Sequence, residues 1–232
     1  MTPDTLAALE KAKHDKRPVV LATRLPGGEQ RLLPDPAAPA ALNEAAAEAL
    51  KSDESGTHKI DGVDWFLHAY NPPLRLVIVG AVHIAQALAP FAAQCGFAVT
   101  VIDPRRSFAS EERFPGVSIS SDWPDEAMEA LRPDTRTAVV TLTHDPKLDD
   151  PALDRALKSD AFYIGALGSR RTHAARLKRL TALGHSESAM ARIKGPVGLD
   201  IEAVTATEIA VSVIAEIIAV RRGSPLAPKL AA

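Results

Sequence analysis

The segment of this chain best equipped for chemistry is Gly165-Ala166-Leu167-Gly168-Ser169-Arg170-Arg171. Its two glycines permit a tight turn, Ser169 is a good N-cap, and the helix it opens offers free backbone amides to an anion. Two arginines in a first helical turn oppose the helix dipole, a mild cost that a bound phosphate reverses. The alternative is a capped helix with solvated arginines. A second such place is Leu76-Val77-Ile78-Val79-Gly80-Ala81-Val82-His83-Ile84-Ala85, followed by Val99-Thr100-Val101-Ile102-Asp103. A β-branched run closing on glycine, a helical stretch, then a second such run ending in aspartate is how a mononucleotide-binding βαβ unit begins. In the G-x-G-x-x-G/A pattern, Gly80 and Ala85 fill the first and third places, but Val82 holds the second. A branched side chain there is expected to push into the phosphate position, so dinucleotide binding starts with a penalty.

Around these lie further candidates. Asp103 stands where a carboxylate accepts from a ribose hydroxyl, whereas Arg105 and Arg106 favour a phosphorylated ribose; a strand-end aspartate in an ordinary turn with Pro104 is equally compatible. His83 opens the first helix and could bond a ligand, act as acid or base, or be structural. Thr143-His144-Asp145 follows another apolar run. Asp149 and Asp150 are expected to cap a helix with Pro151 in its first turn rather than to hold a hard metal. Gly195-Pro196-Val197-Gly198-Leu199-Asp200 is a glycine-rich loop that either closes over the crevice or merely connects. Arg176, Lys178 and Arg179 read as the solvated face of an amphipathic helix. No catalytic or metal-ligating set is predicted; G-x-S-x-G and P-loop patterns are absent.

The elements that must position these residues follow from periodicity. Strands at 75–79, 98–102, 137–142 and 161–164 alternate with helices at 83–95, 124–131, 150–158 and 170–183. That alternation predicts α/β architecture, a doubly wound parallel sheet with right-handed crossovers and helices on both faces. Ligands in such a sheet sit at the carboxyl ends of the strands, where strand order reverses, so the candidates above should converge. Pro90 falls inside the first helix, where it should cost about 3 kcal/mol unless the helix kinks or breaks there. Trp123 precedes Pro124 and is expected to pin a helix start. Thr205-Ala206-Thr207-Glu208 is a capping box announcing a last helix, which ends at Arg221, Arg222 and Gly223. Upstream, a hairpin over 19–33, a helix over 40–50 and a second hairpin turned by Asp61-Gly62 make a small α+β N-terminal domain. Asn71-Pro72-Pro73 ends it. The expected organisation is therefore 1–73, 74–223 and a frayed tail, 224–232.

With 232 residues, 46% of them hydrophobic, the chain can bury a large core. A net charge of −2 and a pI near 6.4 argue against a nucleic-acid or anionic-membrane surface. The first residues carry no basic and then apolar pattern and no run of about 18 apolar residues occurs, so neither a signal segment nor a membrane span is expected, and a cytoplasmic location is. The single cysteine, Cys95, excludes an internal disulfide; it lies on the stripe Ile84, Leu88, Phe91 and reads as a buried filler.

Taken together, Gly80 to Ala85 with His83, Val101-Ile102-Asp103-Pro104-Arg105, Glu112-Arg113-Phe114-Pro115, Thr143-His144-Asp145, Gly165-x-x-Gly168-Ser169-Arg170-Arg171 and Gly198-Leu199-Asp200-Ile201 resemble the XdhC/CoxI family over about residues 60–223. These are accessory proteins of xanthine dehydrogenase and related molybdenum hydroxylases. The resemblance implies a Rossmann-like C-terminal domain that binds molybdenum cofactor (molybdopterin), presents it for exchange of a terminal oxo for a sulfido ligand, and inserts it into an apo molybdenum hydroxylase. It implies a non-catalytic chaperone with a cysteine desulfurase as second partner, and a homodimer is compatible with it. Gly80, His83, Asp103, Arg105, His144, Gly165, Gly168, Ser169, Arg170, Arg171 and Asp200 would then contact the cofactor. The sequence departs from the family at Val82 and Glu202, where glycine is usual, and carries no G-G-C-x-E motif. An NAD(P)-dependent oxidoreductase using the same crevice is the alternative.

Overall fold

A computed structural model describes residues 1–226. Two compact units divide between Pro72 and Pro73, where neither a ladder nor a helix can continue through consecutive prolines.

In the first unit, α1 (Pro3–His14) is followed by β1 (Val19–Leu25), β2 (Gln30–Leu33), α2 (Ala40–Ser52), β3 (Gly56–Ile60) and β4 (Val63–Tyr70). The strands form an antiparallel sheet in the order β2-β1-β4-β3. Both hairpins expected from sequence are present, and β1 and β4 pair along their lengths, from Val19 opposite Tyr70 to Leu25 opposite Asp64. Val20, Ala22, Trp65 and Leu67 meet Leu42, Ala46 and Ala49 of α2, whereas Val19 meets Leu9 and Ala12 of α1. β1 is thus apolar without alternation because helices cover both its faces. α1 was not expected. Its signal is Thr2, whose side chain caps the Thr5 amide, with Pro3 at the first helical position.

The second unit runs β5 (Leu74–Val79), α3 (His83–Gln94), β6 (Phe97–Ile102), β7 (Ser118–Ser120), α4 (Pro124–Leu131), β8 (Thr137–Thr141), α5 (Pro146–Leu157), β9 (Tyr163–Ala166), α6 (Arg170–Ala182), α7 (Glu187–Met190), β10 (Ile193–Lys194) and α8 (Ala206–Arg221). Its six strands are parallel in the order β10-β9-β8-β5-β6-β7. The doubly wound sheet expected from sequence is therefore present, and strand order reverses between β5 and β8. Side-chain alternation divides β5 cleanly. Leu76 and Ile78 join the core under α3 and α8, and Val77 and Val79 join the one under α4, α5 and α6. All four are essentially buried, each contributing about 1.5–3 kcal/mol by removal from water.

Several local expectations are corrected. α3 runs unbroken through Pro90, which sits on the exposed side. Cys95 is exposed, because α3 ends at Gln94 and the chain turns at Gly96 before the apolar stripe reaches it. Trp123 is half-exposed and stands at the N-cap of α4 through its backbone alone, its carbonyl accepting from the Ala127 amide, with Pro124 at the first position. α5 begins four residues earlier than expected. Asp145 caps the Lys147 amide, Pro146 takes the first position, and Pro151 lies within the helix. The capping box of α8 is present as predicted, with Thr205 on the Glu208 amide and the Glu208 carboxylate on the Thr205 amide. Of the expected tail, 224–232, the part from 227 on lies outside the described residues.

Candidate functional site at the carboxyl edge of the parallel sheet

At the strand-order reversal, the turn after β5 passes close to the exit of β8. Gly80 has φ +108°, and a Cβ there would come within 2.3 Å of Thr143 Cγ2. Only glycine satisfies both the backbone and the space. Gly80→Ala is expected to cost about 2 kcal/mol and to push the two loops apart. Denaturant melts check the first effect, and an unchanged midpoint would contradict the packing described. Val82, the N-cap of α3, makes no side-chain cap, and its isopropyl group packs against the apolar core. The side chain expected to obstruct a phosphate is thus at least partly committed to packing. His83 is exposed at the first position of α3.

Asp103, at the end of β6, is fully buried. Oδ2 accepts from the Ala81 amide (2.9 Å) and Arg105 Nη2 (2.7 Å), and Oδ1 from the Arg105 amide (3.0 Å) and Nε (2.8 Å). Four donors on two oxygens leave little acceptor capacity for a ribose. The carboxylate instead ties the β5–α3 turn to the β6 exit. Arg105, part-exposed, also lies over the Phe108 ring at 4.5 Å. Burial pushes the Asp103 carboxyl up, but the hydrogen bonds from Arg105 and the two amides outweigh it and hold the carboxyl below its ordinary range. Its stabilising contribution is therefore complete above about pH 4, where the unfolded carboxyl is ionised, and is lost as pH falls through the lower folded value. Arg105→Ala should move the acid unfolding midpoint to higher pH; coincident acid transitions for the two proteins would contradict this.

The exits of β8 and β9 are joined by a buried network. The Asp149 carboxylate accepts from Thr143 Oγ1 (2.6 Å) and the His144 amide (3.1 Å). Arg176 Nη2 donates to the Leu167 carbonyl at 2.7 Å and lies 3.7 Å from Asp149 Oδ2. Arg176 is only 1% exposed, which corrects its reading as a solvated residue; Arg179 is also engaged, bonded to Asp150 at 2.5 and 2.9 Å. Burial drives both members of the Asp149–Arg176 pair toward neutrality: Asp149 is pushed up despite Thr143 and Arg176, and Arg176 down despite Asp149 and Asp150. Asp149 thus anchors the β8–α5 loop rather than capping α5. Sequence reading missed this pair. The available signal was that Arg176 shares one helical face with Leu177 and Leu180.

The anchoring holds His144 at φ +63° and brings its ring to the start of α6. A Cβ on Gly168 (φ +134°) would lie 3.5 Å from His144 Nδ1 and 3.0 Å from Thr172 Cγ2. Ser169 caps the Thr172 amide, and Arg170 and Arg171 are exposed in a first turn that contains no acidic residue. Gly165 lies elsewhere. It is buried within β9 beneath Tyr163 and Val197, where a Cβ would come within 2.5 Å of Val197 Cγ2. Asp200 is exposed two residues beyond Gly198, whose amide is held by Glu216 on α8 at 2.9 Å.

The sheet edge thus brings Gly80, Thr143, His144, Gly168 and the start of α6 into one neighbourhood, in a unit whose residues 76–217 match the XdhC Rossmann domain family. The chain belongs to the XdhC family. Among relatives, it is 37% identical over 152 residues to the Escherichia coli molybdenum cofactor insertion chaperone PaoD, covering 66% of this chain and 42% of that protein. It is 34% identical over 158 residues to a probable xanthine dehydrogenase subunit of Bacillus subtilis, covering 68% and 46% respectively. It is 34% identical over 183 residues to the Escherichia coli protein YqeB, covering 77% and 32%. The chain spans less than half the length of each of these XdhC-like relatives. A solved structure described as a xanthine dehydrogenase from Bacillus halodurans shares the fold, with a TM-score of 0.72 at 24% identity over 97% of this chain and 67% of that one. Among the described residues of this XdhC chain, no helix is long and apolar enough to cross a membrane, and no three His, Cys, Asp or Glu side chains group as metal ligands.

Proposed function

We propose that this chain is an accessory module that holds molybdenum cofactor, as cargo, at the carboxyl edge of the parallel sheet and passes it to a molybdenum hydroxylase. The observation that carries this reading is the pair of helix starts at that edge. α3 begins without a side-chain cap and α6 with two exposed arginines, and neither has an acidic residue in its first turn. α4, α5 and α8 each carry acids there. Two helix starts with no acidic residue in their own first turn favour an anionic ligand.

In this reading Ser169, Arg170 and Arg171 take the phosphate, and Gly168 supplies the space a side chain would fill. His144 and His83 flank the pterin, and Arg105 adds positive charge from the β6 exit. Asp200 contributes from the segment leading into α8. Gly80 and Asp103 set the shape of the loops, and Gly165 lets β9 pack beneath Val197. The residues present suit the organic, phosphate-bearing part of the cofactor rather than its metal. When bound, the cofactor supplies the redox-active molybdenum centre of the client enzyme; this chain's residues bind and orient it and perform no bond-breaking step. A cysteine desulfurase providing sulfur, and a second copy of the chain, belong to the same proposal. NAD(P) binding is disfavoured because Asp103 is already occupied by four donors.

Delivery is the direct test. Incubating the cofactor-loaded chain anaerobically with an apo molybdenum hydroxylase should restore more activity than an equal amount of free cofactor. Equal activation would remove the chaperone role.

A further inference from the structure

A cleft of about 700 Å³ runs along the outer edge of the sheet beside β10, between α6, α7 and α8. Small-molecule sites fall in this range, with mostly apolar walls and a few placed polar groups. Here Leu177, Met190, Ile193 and Pro196 supply apolar wall, and the polar lining includes His173, Glu216 and the cations Lys178 and Lys194. Neither His173 nor Glu216 belongs to the neighbourhood of Gly80, His144 and Gly168.

Glu216 is the unusual member. It is 1% exposed and makes no ion pair among the described residues. Its two protein donors, the Tyr163 hydroxyl and the Gly198 amide, both fall on Oε2. Oε1 is therefore the oxygen left to the cleft. A buried carboxylate is costly unless a cation or N–H donors satisfy it, and both donors that Glu216 has come from uncharged groups. His173 is held against Gly195, where a Cβ would meet Nδ1 at 2.2 Å. Burial first, and the Arg176 charge second, lower its pKa, which favours the uncharged ring at neutral pH. The cleft thus combines an apolar wall, an imidazole, two lysines and a carboxylate oxygen with open acceptor capacity.

We propose that this cleft binds a small planar molecule through an amidine-type N–H edge, as in a guanidine, an amidine or a 2-aminopyrimidinone base, which donates to Glu216 Oε1 while the ring lies on Leu177, Met190 and Ile193. The site is independent of the cofactor-handling reading and survives if that reading fails.

The test uses the full chain and four probes, benzamidine against benzamide and guanosine against inosine, followed by isothermal titration and ligand-observed NMR. Benzamidine and guanosine should bind saturably, and their amide and 2-deamino counterparts roughly tenfold more weakly or not at all, since a hydrogen bond to a charged group is worth about that factor. Glu216→Gln turns an amide NH₂ toward the cleft and should lower affinity for both binders at least roughly tenfold. Ala191→Trp, at the exposed rim, should block entry without touching Glu216, and carries the test if the glutamine variant does not fold. Absence of saturable binding up to about 10 mM, equal binding of inosine and benzamide, or unaffected binding in both variants would overturn the proposal.

Discussion

Asp149→Asn is expected to destabilise the second unit by about 3–5 kcal/mol, read as a lowered denaturant midpoint at an unchanged slope. Asp149 receives only donors, from Thr143 and His144, with the Arg176 guanidinium behind them. An asparagine sets an NH₂ group against one of these donors and leaves a fully buried guanidinium without its nearest counter-charge. Arg176 Nε and Nη1 already lack a hydrogen-bond partner, so little in the surroundings can absorb the change. The pair also brackets the site. Losing it should free the His144 loop from the start of α6 and weaken ligand binding in parallel. Asp149→Asn combined with Arg176→Met should recover much of the lost stability, because removing both charges ends the desolvation cost that burial imposes on each. A double variant as unstable as the sum of the single ones would mean the two residues act separately.

The second large effect is on binding. Arg170→Ala with Arg171→Ala should weaken molybdenum cofactor affinity roughly a hundredfold or more, given about 1.5–3 kcal/mol for each charge-assisted bond. Both side chains are exposed, so folding should be unaffected. The removal even relieves the mild conflict between two cations and a helix start. Loss of affinity without loss of stability is the signature of residues retained for a ligand. Lysine replacements should rescue only partly, since lysine cannot make the forked contact to phosphate oxygens. Unchanged affinity in the double alanine variant would take the phosphate away from α6.

What the sequence disclosed and what it concealed divide along a physical line. β5, β8 and the α8 capping box were legible because local chemistry specifies them: β-branched runs closing on Gly80 or Thr143, and Thr205 spaced three residues from Glu208. The start of α5 was misplaced because two acid-then-proline signals compete. Asp145-Pro146 prevails because Asp145 caps the helix while Asp149 is drawn into Thr143 and His144. β7 and β10 are edge strands of three and two residues, too short to carry periodicity. Arg176 and Glu216 are buried charges whose partners lie far along the chain, at Asp149, Tyr163 and Gly198. No pattern along one helix announces such a partner. At the candidate site, the strand exits and the α6 start could be anticipated from the rule for parallel sheets. The saturation of Asp103 and the packing of Gly165 could not, because both depend on neighbours from other strands.

In the proposed reading the sheet edge is built for molybdenum cofactor and not for a dinucleotide. Anaerobic isothermal titration of the purified chain with molybdenum cofactor, and in parallel with NAD and NADP, tests it most directly. Tight, saturable binding of the cofactor with no heat from either dinucleotide is the predicted result. Binding of NAD or NADP with none of the cofactor would contradict it and make the oxidoreductase reading the better account of the same crevice.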